Sequence, residues 1–149
     1  MEIRDVGGNL RDSRVLSILS YSQYRPSKEK MNRIAGQYEE EGAAAFACTD
    51  GADVIGVIVL RPVENALFAI LSIAVDPAQR GGGIGSKLID AAFARLSCDE
   101  LFAETDDDAV GFYRSYGFDI ESLGEKYPGT VRYRCTLKRS PEGRPSKRR

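Results

Sequence analysis

ALFAILSIAVDPAQRGGGIGSKLIDAAFARL, running from Ala66 to Leu96, decides how the rest of the chain is read. Ala66 to Val75 is an apolar run of strand length, Asp76 to Gly83 is a loop dense in glycine, and Ile84 to Leu96 has the periodicity of an amphipathic helix. Arg80, Gly83 and Gly85 satisfy the pattern R-x-x-G-x-G, with Ser86 next, while Gly81 and Gly82 remove further side chains from the loop. A loop without Cβ atoms lets an oxyanion approach consecutive backbone N–H groups. The first N–H groups of the helix that follows lack intrahelical partners and carry partial positive charge. Strand, bare loop and helix N-terminus together predict an anion cradle of the kind that takes phosphate or pyrophosphate.

Two common phosphate-binding patterns do not fit. G-x-x-x-x-G-K-[ST] fails because Lys87 follows Ser86 rather than a glycine, and G-x-G-x-x-G fails because Leu88 stands where the third glycine belongs. R-x-x-G-x-G directly after a strand ending V-D-P does fit. In this the sequence resembles the GNAT superfamily of N-acetyltransferases, whose hallmark is that acetyl-coenzyme A segment.

The remaining elements follow from turn signals and periodicity. Glu2 to Val6 reads as a short strand, a helix capped by Asp12 or Ser13 runs to about Tyr24, and a second helix from Pro26 and Ser27 ends at Gly42. Ala43 to Thr49 and Val54 to Leu60 are strands joined by the Asp50-Gly51 turn, with Arg61 and Pro62 closing the second. Glu100 to Glu104 is a strand, Ala109 to Tyr116 a helix stopped by Gly117, and Phe118 to Leu123 and Val131 to Leu137 the last two strands. Strands flanking helices predict an α/β fold with a parallel pair between the central strand and Leu101 to Glu104. The resemblance implies the GNAT fold, a mixed central sheet of about seven strands flanked by four α-helices, over residues 1–138. In that fold the central strand and its successor splay apart to take a pantetheine arm.

Composition bounds the remaining possibilities. The chain has 149 residues, 42% hydrophobic and 29% charged, which suits one globular domain of ordinary size. No apolar run is long enough to span a membrane and the start shows no apolar leader, so the expectation is a cytoplasmic protein with no membrane partner. Cys48, Cys98 and Cys135 are odd in number and widely spaced, which predicts reduced thiols rather than disulfides. With no histidine and no paired cysteines, no metal is expected. The tail from residue 139 to residue 149 carries five basic groups and one acid, whereas the preceding residues carry a net charge of −5. That tail is polar, holds two prolines and reads as disordered, and nucleic acid is not expected as a partner of the acidic body.

If the ligand is acetyl-coenzyme A, its pyrophosphate falls to the amides of Arg80, Gly81, Gly82, Gly83, Ile84, Gly85 and Ser86. The resemblance further implies that main-chain groups of Ile73, Ala74 and Val75 pair with the pantetheine amides as a neighbouring strand would. Ala109 to Phe118 (AVGFYRSYGF) resembles the family segment A-x-x-F-Y-x-x-x-G-F, whose tyrosine falls on Tyr113. A neutral phenol is a suitable proton donor to a departing thiolate, although Tyr113 packing on the sheet is the alternative. Tyr116 is the reserve candidate.

Where many members carry asparagine this chain has Asp106, which as an ionised carboxylate only accepts hydrogen bonds. Asp106 to Asp108 are expected as helix caps. The base that takes the amine proton is left among Glu104, Glu64 and water. Glu39 to Glu41, in the last turn of the second helix, is either a solvated helix end or the rim of a cationic-substrate site. The reading is direct acetyl transfer from acetyl-coenzyme A to a primary amine, of a small molecule or a protein. A non-catalytic acyl-coenzyme A sensor is the alternative, and homodimerisation is left open.

Overall fold

A computed structural model of the chain describes residues 1–148. Its elements in chain order are β1 (Glu2–Asp5), α1 (Ser13–Leu19), α2 (Lys28–Glu40), β2 (Ala44–Asp50), β3 (Asp53–Glu64), β4 (Leu67–Val75), α3 (Ile84–Arg95), β5 (Glu100–Asp106), α4 (Asp107–Tyr116), β6 (Asp119–Tyr127), β7 (Thr130–Arg139) and β8 (Pro145–Ser146). Short 3-10 turns follow α1 at Ser20–Ser22 and β4 at Pro77–Gln79. The strands form one mixed sheet in the order β1-β2-β3-β4-β5-β7-β6, with β8 beside β7. This is the expected α/β architecture of about seven strands and four helices, with one short strand added.

Alternation along β3 separates the two faces. Val57 and Val59 join a buried cluster with Val15, Leu19, Met31 and Ala35 of α1 and α2. Ile58 and Leu60 join the larger cluster with Leu88, Ile89 and Phe93 of α3 and with Leu101, Phe118 and Leu137. Both faces of the strand are covered, as a continuous apolar run requires. Helix α3 approaches closely enough that a Cβ on Gly56 of β3 would lie 2.7 Å from Ile84 Cγ2.

The structure departs from expectation in several places. Helix α1 ends at Leu19, and the residues up to Ser22 form a 3-10 turn rather than continuing the helix. Strand β3 runs on through Pro62 to Glu64, because pairing with β2 stops at Ala44↔Leu60 and proline is tolerated on the edge that remains. Residues 140–148, expected to lack structure, fold back instead. Ser140 N–H donates to Arg144 O at 2.7 Å, Pro145–Ser146 pairs with Lys138 and Arg139, and Arg148 N–H donates to Gly117 O at 2.7 Å. Arg149 lies outside the described residues.

Candidate active site

The parallel pair expected between β4 and β5 forms, but over three residues only: Leu67↔Glu100, Phe68↔Leu101 and Ala69↔Phe102. Beyond that point each strand keeps its outer neighbour, β4 pairing with β3 as far as Val75 and β5 with β7 as far as Asp106. Their facing edges part. Leu71 is an extra residue opposite β3, since Val59 pairs with Ser72 and Leu60 with Ile70, and such a bulge bends its strand. From Ile70 onward β4 therefore has one edge without a strand partner, and a cleft of about 930 Å³ opens along it. Ile73, Ala74 and Val75 line this cleft.

The glycine loop closes one end. Gly81 and Gly83 hold φ of 86° and 80°, a left-handed conformation that side chains resist. Gly83 is the N-cap of α3 and supplies no side-chain acceptor, so the N–H groups of Ile84, Gly85 and Ser86 face outward uncapped. Arg80, Gly81, Gly83, Ile84, Gly85 and Ser86 border the cleft, whereas Gly82 is not among its lining residues. Gly85 has a second reason to be bare: a Cβ there would lie 2.6 Å from Phe112 Cε1 of α4. The two helices touch at that point. Uncapped amides, a bare loop and an open strand edge fit the phosphate and pantetheine portions of coenzyme A.

Tyr113 sits on α4, beside the gap. Its ring meets Phe112 and Phe118 edge-on, at centroid distances of 5.2 and 5.1 Å, and only 5% of the residue is exposed. Among the described residues every buried side-chain oxygen and nitrogen has a partner, yet the Tyr113 hydroxyl takes none from protein. The oxygen therefore opens to the cleft that the residue lines. Burial, reinforced by Cys135, raises the phenol above its ordinary range, so it is held as a neutral donor. Tyr116 has no such position. Its hydroxyl donates to Asp90 Oδ1 on α3 at 2.5 Å, and it lines a separate cavity beside Arg144 and Lys147.

The opposite face of the sheet holds the polar groups. Tyr133 bonds Asp107 of α4 at 2.6 Å and Cys135 and Leu137 enter the α3–α4 core, so alternation sends Arg132 and Arg134 to the other side with Glu104 and Asp106. Arg134 pairs with Glu104 at 3.4 Å and covers the Phe102 ring at 4.0 Å. Glu104 and Arg132 both line the cleft. Ser72, buried on β4, meets Ser22 of the first 3-10 turn at 2.6 Å. The Ser22 hydroxyl also donates to Leu19 O at 2.7 Å, and Gln23 adds a bond to Ser22 at 3.2 Å. This clasp fixes Tyr21, Ser22 and Gln23 against the mouth of the cleft. Sequence reasoning missed Ser72, although it is the one polar residue within ALFAILSIAV. It also missed Arg132, whose signal was the alternation in TVRYRCTL.

Of the carboxylates weighed as a base, Glu104 borders the cleft and Glu64, at the far end of β3, does not. Asp106 caps α4, accepting from Asp108 N–H at 3.0 Å. Glu39 pairs with Arg11 at 2.9 Å and Glu41 lies 3.9 Å from Arg61, both away from the cleft lining. The three cysteines are free and buried. Burial pushes the Cys98 and Cys135 thiols up to about 11 and also raises Cys48, leaving them protonated and poor nucleophiles. Among the described residues, no helix is long and apolar enough to cross a membrane.

Comparison with known proteins agrees with this geometry. Residues 41–120 match the acetyltransferase (GNAT) domain. A Mycobacterium leprae protein is 31% identical over 103 residues, covering 62% of this chain, which spans only 29% of that relative's length. The peptidyl-lysine N-acetyltransferase YjaB of Salmonella typhimurium is 28% identical over 109 residues, covering 68% of this chain and 71% of YjaB. A GNAT family acetyltransferase from Elizabethkingia anophelis, solved with acetyl-CoA bound, superposes with a TM-score of 0.68 at 21% identity, over 92% of this chain and 97% of that one. By its domain match and its fold, the chain belongs to the GNAT family of acetyltransferases.

Proposed function

We propose that the protein transfers the acetyl group of acetyl-coenzyme A directly to a primary amine within a ternary complex. The observation that carries this reading is the parting of β4 from β5 between an uncapped helix N-terminus and the Tyr113 hydroxyl. The amides from Arg80 to Ser86 hold the pyrophosphate, and the free edge of β4 at Ile73, Ala74 and Val75 pairs with the pantetheine amides as an added strand. Aligning thioester and amine in one cleft removes the entropy of bringing them together. The amine nitrogen attacks the thioester carbonyl, the C–S bond breaks, and Tyr113 gives its proton to the departing thiolate. The proton from the amine passes to Glu104 or to water in the open cleft. No cysteine carries the acetyl group, since all three thiols are buried and protonated.

The test is release of free thiol from acetyl-coenzyme A in the presence of an amine panel that includes small amines, amino acids and lysine peptides. The Salmonella relative's name makes peptidyl lysine one arm of that panel. Thiol release dependent on an amine is expected. Coenzyme A binding without turnover of any amine would instead assign the protein to sensing. An acetyl-enzyme trapped on a cysteine would overturn direct transfer.

A further inference from the structure

Resting on the acetyl transfer proposed above, the geometry points to a narrower acceptor class: a small amine that also carries a carboxylate, as an amino acid does. The cleft holds two arginines, and they serve opposite ends. Arg80 follows the turn at Pro77–Gln79 beside the α3 N-terminus, on the side assigned to phosphate. Arg132 lies on the other face of the sheet, where the clasp of Ser22 and Ser72 shapes the mouth.

Among the described residues, neither the ion pairs nor the hydrogen bonds include the Arg132 guanidinium. Its neighbours explain why it stays available. Arg134, two residues on, is occupied by Glu104 and the Phe102 ring. Asp106, opposite Arg132 across the strands and also lining the cleft, caps α4 through Oδ1 and forms no ion pair with Arg132 among the described residues. A planar, always charged guanidinium facing a cleft is suited to gripping a carboxylate through two parallel bonds.

The other half of the acceptor has its own partner. Glu104 accepts from Arg134 at Oε2, while Oε1 has no partner among the described residues, and the side chain lines the same cleft. Glu104 and Arg132 are diagonal neighbours on adjacent strands, a placement that sets residues roughly 7–8 Å apart. Side chains of this length reach a common molecule across that distance. An ammonium drawn to Glu104 and a carboxylate drawn to Arg132 match one zwitterion of a few carbons. A diamine would set one cation against Arg132, and a lysine inside a peptide would leave Arg132 unmatched.

The experiment compares thiol release with matched pairs at equal free-base concentration: glycine with glycinamide, and 4-aminobutyrate with 4-aminobutanamide. A capped lysine, Nα-acetyl-lysine methylamide, is the third arm. The intact protein is expected to prefer a carboxylate over its amide by roughly 10- to 100-fold in kcat/KM, the range for one charged hydrogen-bonded contact. In Arg132→Gln that ratio should collapse towards one, and Arg132→Lys should restore part of it. A thermal midpoint on each variant separates this from misfolding. Release of thiol with equal or better use of the amides or the capped lysine would overturn the acceptor class and leave acetyl transfer standing. A carboxylate preference that survives Arg132→Gln would overturn the assignment to Arg132. No thiol release with any amine would overturn the transfer reading and the acceptor class together.

Discussion

Tyr113 has its ring in the aromatic core and its hydroxyl in the cleft, and the two can be separated by one substitution. Tyr113→Phe keeps the contacts to Phe112 and Phe118, so the thermal midpoint should barely move. Loss of the proton donor proposed above should lower kcat by about 10²-fold, while KM for acetyl-coenzyme A changes little, because the missing interaction would belong to the transition state. Unchanged kcat across the pH range would reduce Tyr113 to packing, and Tyr116, tied to Asp90, is not placed to replace it. The thiols make a second prediction at this scale. Cys98 and Cys135 are raised by burial from 9.0 to about 11 in the folded chain. Between those values the unfolded chain releases protons that the folded chain keeps. Their contribution to stability is thus complete below about pH 9 and is lost as pH rises towards about 11, by up to about 1.4 kcal/mol per pH unit for each thiol. Denaturant unfolding in reducing buffer across that window should show the fall, and Cys135→Ala should make it shallower.

Elements carry the glycines, whose roles divide. Gly83 is left-handed with open space around it, whereas Gly85 is bare because Phe112 presses on it. Gly83→Val should weaken acetyl-coenzyme A binding by about 1–3 kcal/mol through lost loop geometry and charge-assisted bonds. Gly85→Ala should instead push α4 away, costing about 1–3 kcal/mol of stability and lowering kcat through a displaced Tyr113. Calorimetry and unfolding on the two variants distinguish the roles; equal effects of both on binding alone would refute the division. The loop and helix of this site were legible because R-x-x-G-x-G after V-D-P is a local pattern. So was the order of elements along the chain, because each apolar run was bounded by a turn signal. The folded tail was not legible, because no hydrophobic pattern makes it. It is held by backbone bonds, by Lys147 Nζ lying 4.2 Å from the Tyr116 ring centroid, and by Gly117, where a Cβ would lie 2.7 Å from Lys147 Cβ. Arg132 and Glu104 were equally hard to connect, since they meet only through the pairing of β5 with β7.

At the scale of the whole molecule, the sheet is two half-sheets joined by three residue pairs of backbone. One half is the antiparallel run from β1 to β4, and the other is β5, β7 and β6. What unites them is mainly the core under α3 and α4, which draws on Phe46 and Ile58 from one half and on Leu101 and Leu137 from the other. A ligand strand seated in the gap binds the folded chain and has nothing comparable to bind in the unfolded one. At a hundredfold excess over its dissociation constant, such a ligand adds about 2.7 kcal/mol and thins the unfolded population about 100-fold. Coenzyme A should accordingly slow proteolysis of the native protein by a similar factor where cleavage waits on global opening. Equal digestion rates with and without it would show that the gap takes no ligand strand. In a cell where unfolded chains are continuously degraded, the amount of this protein would then follow the supply of acetyl-coenzyme A. On the proposed reading, a shortage of acetyl-coenzyme A would remove the protein as well as starve it.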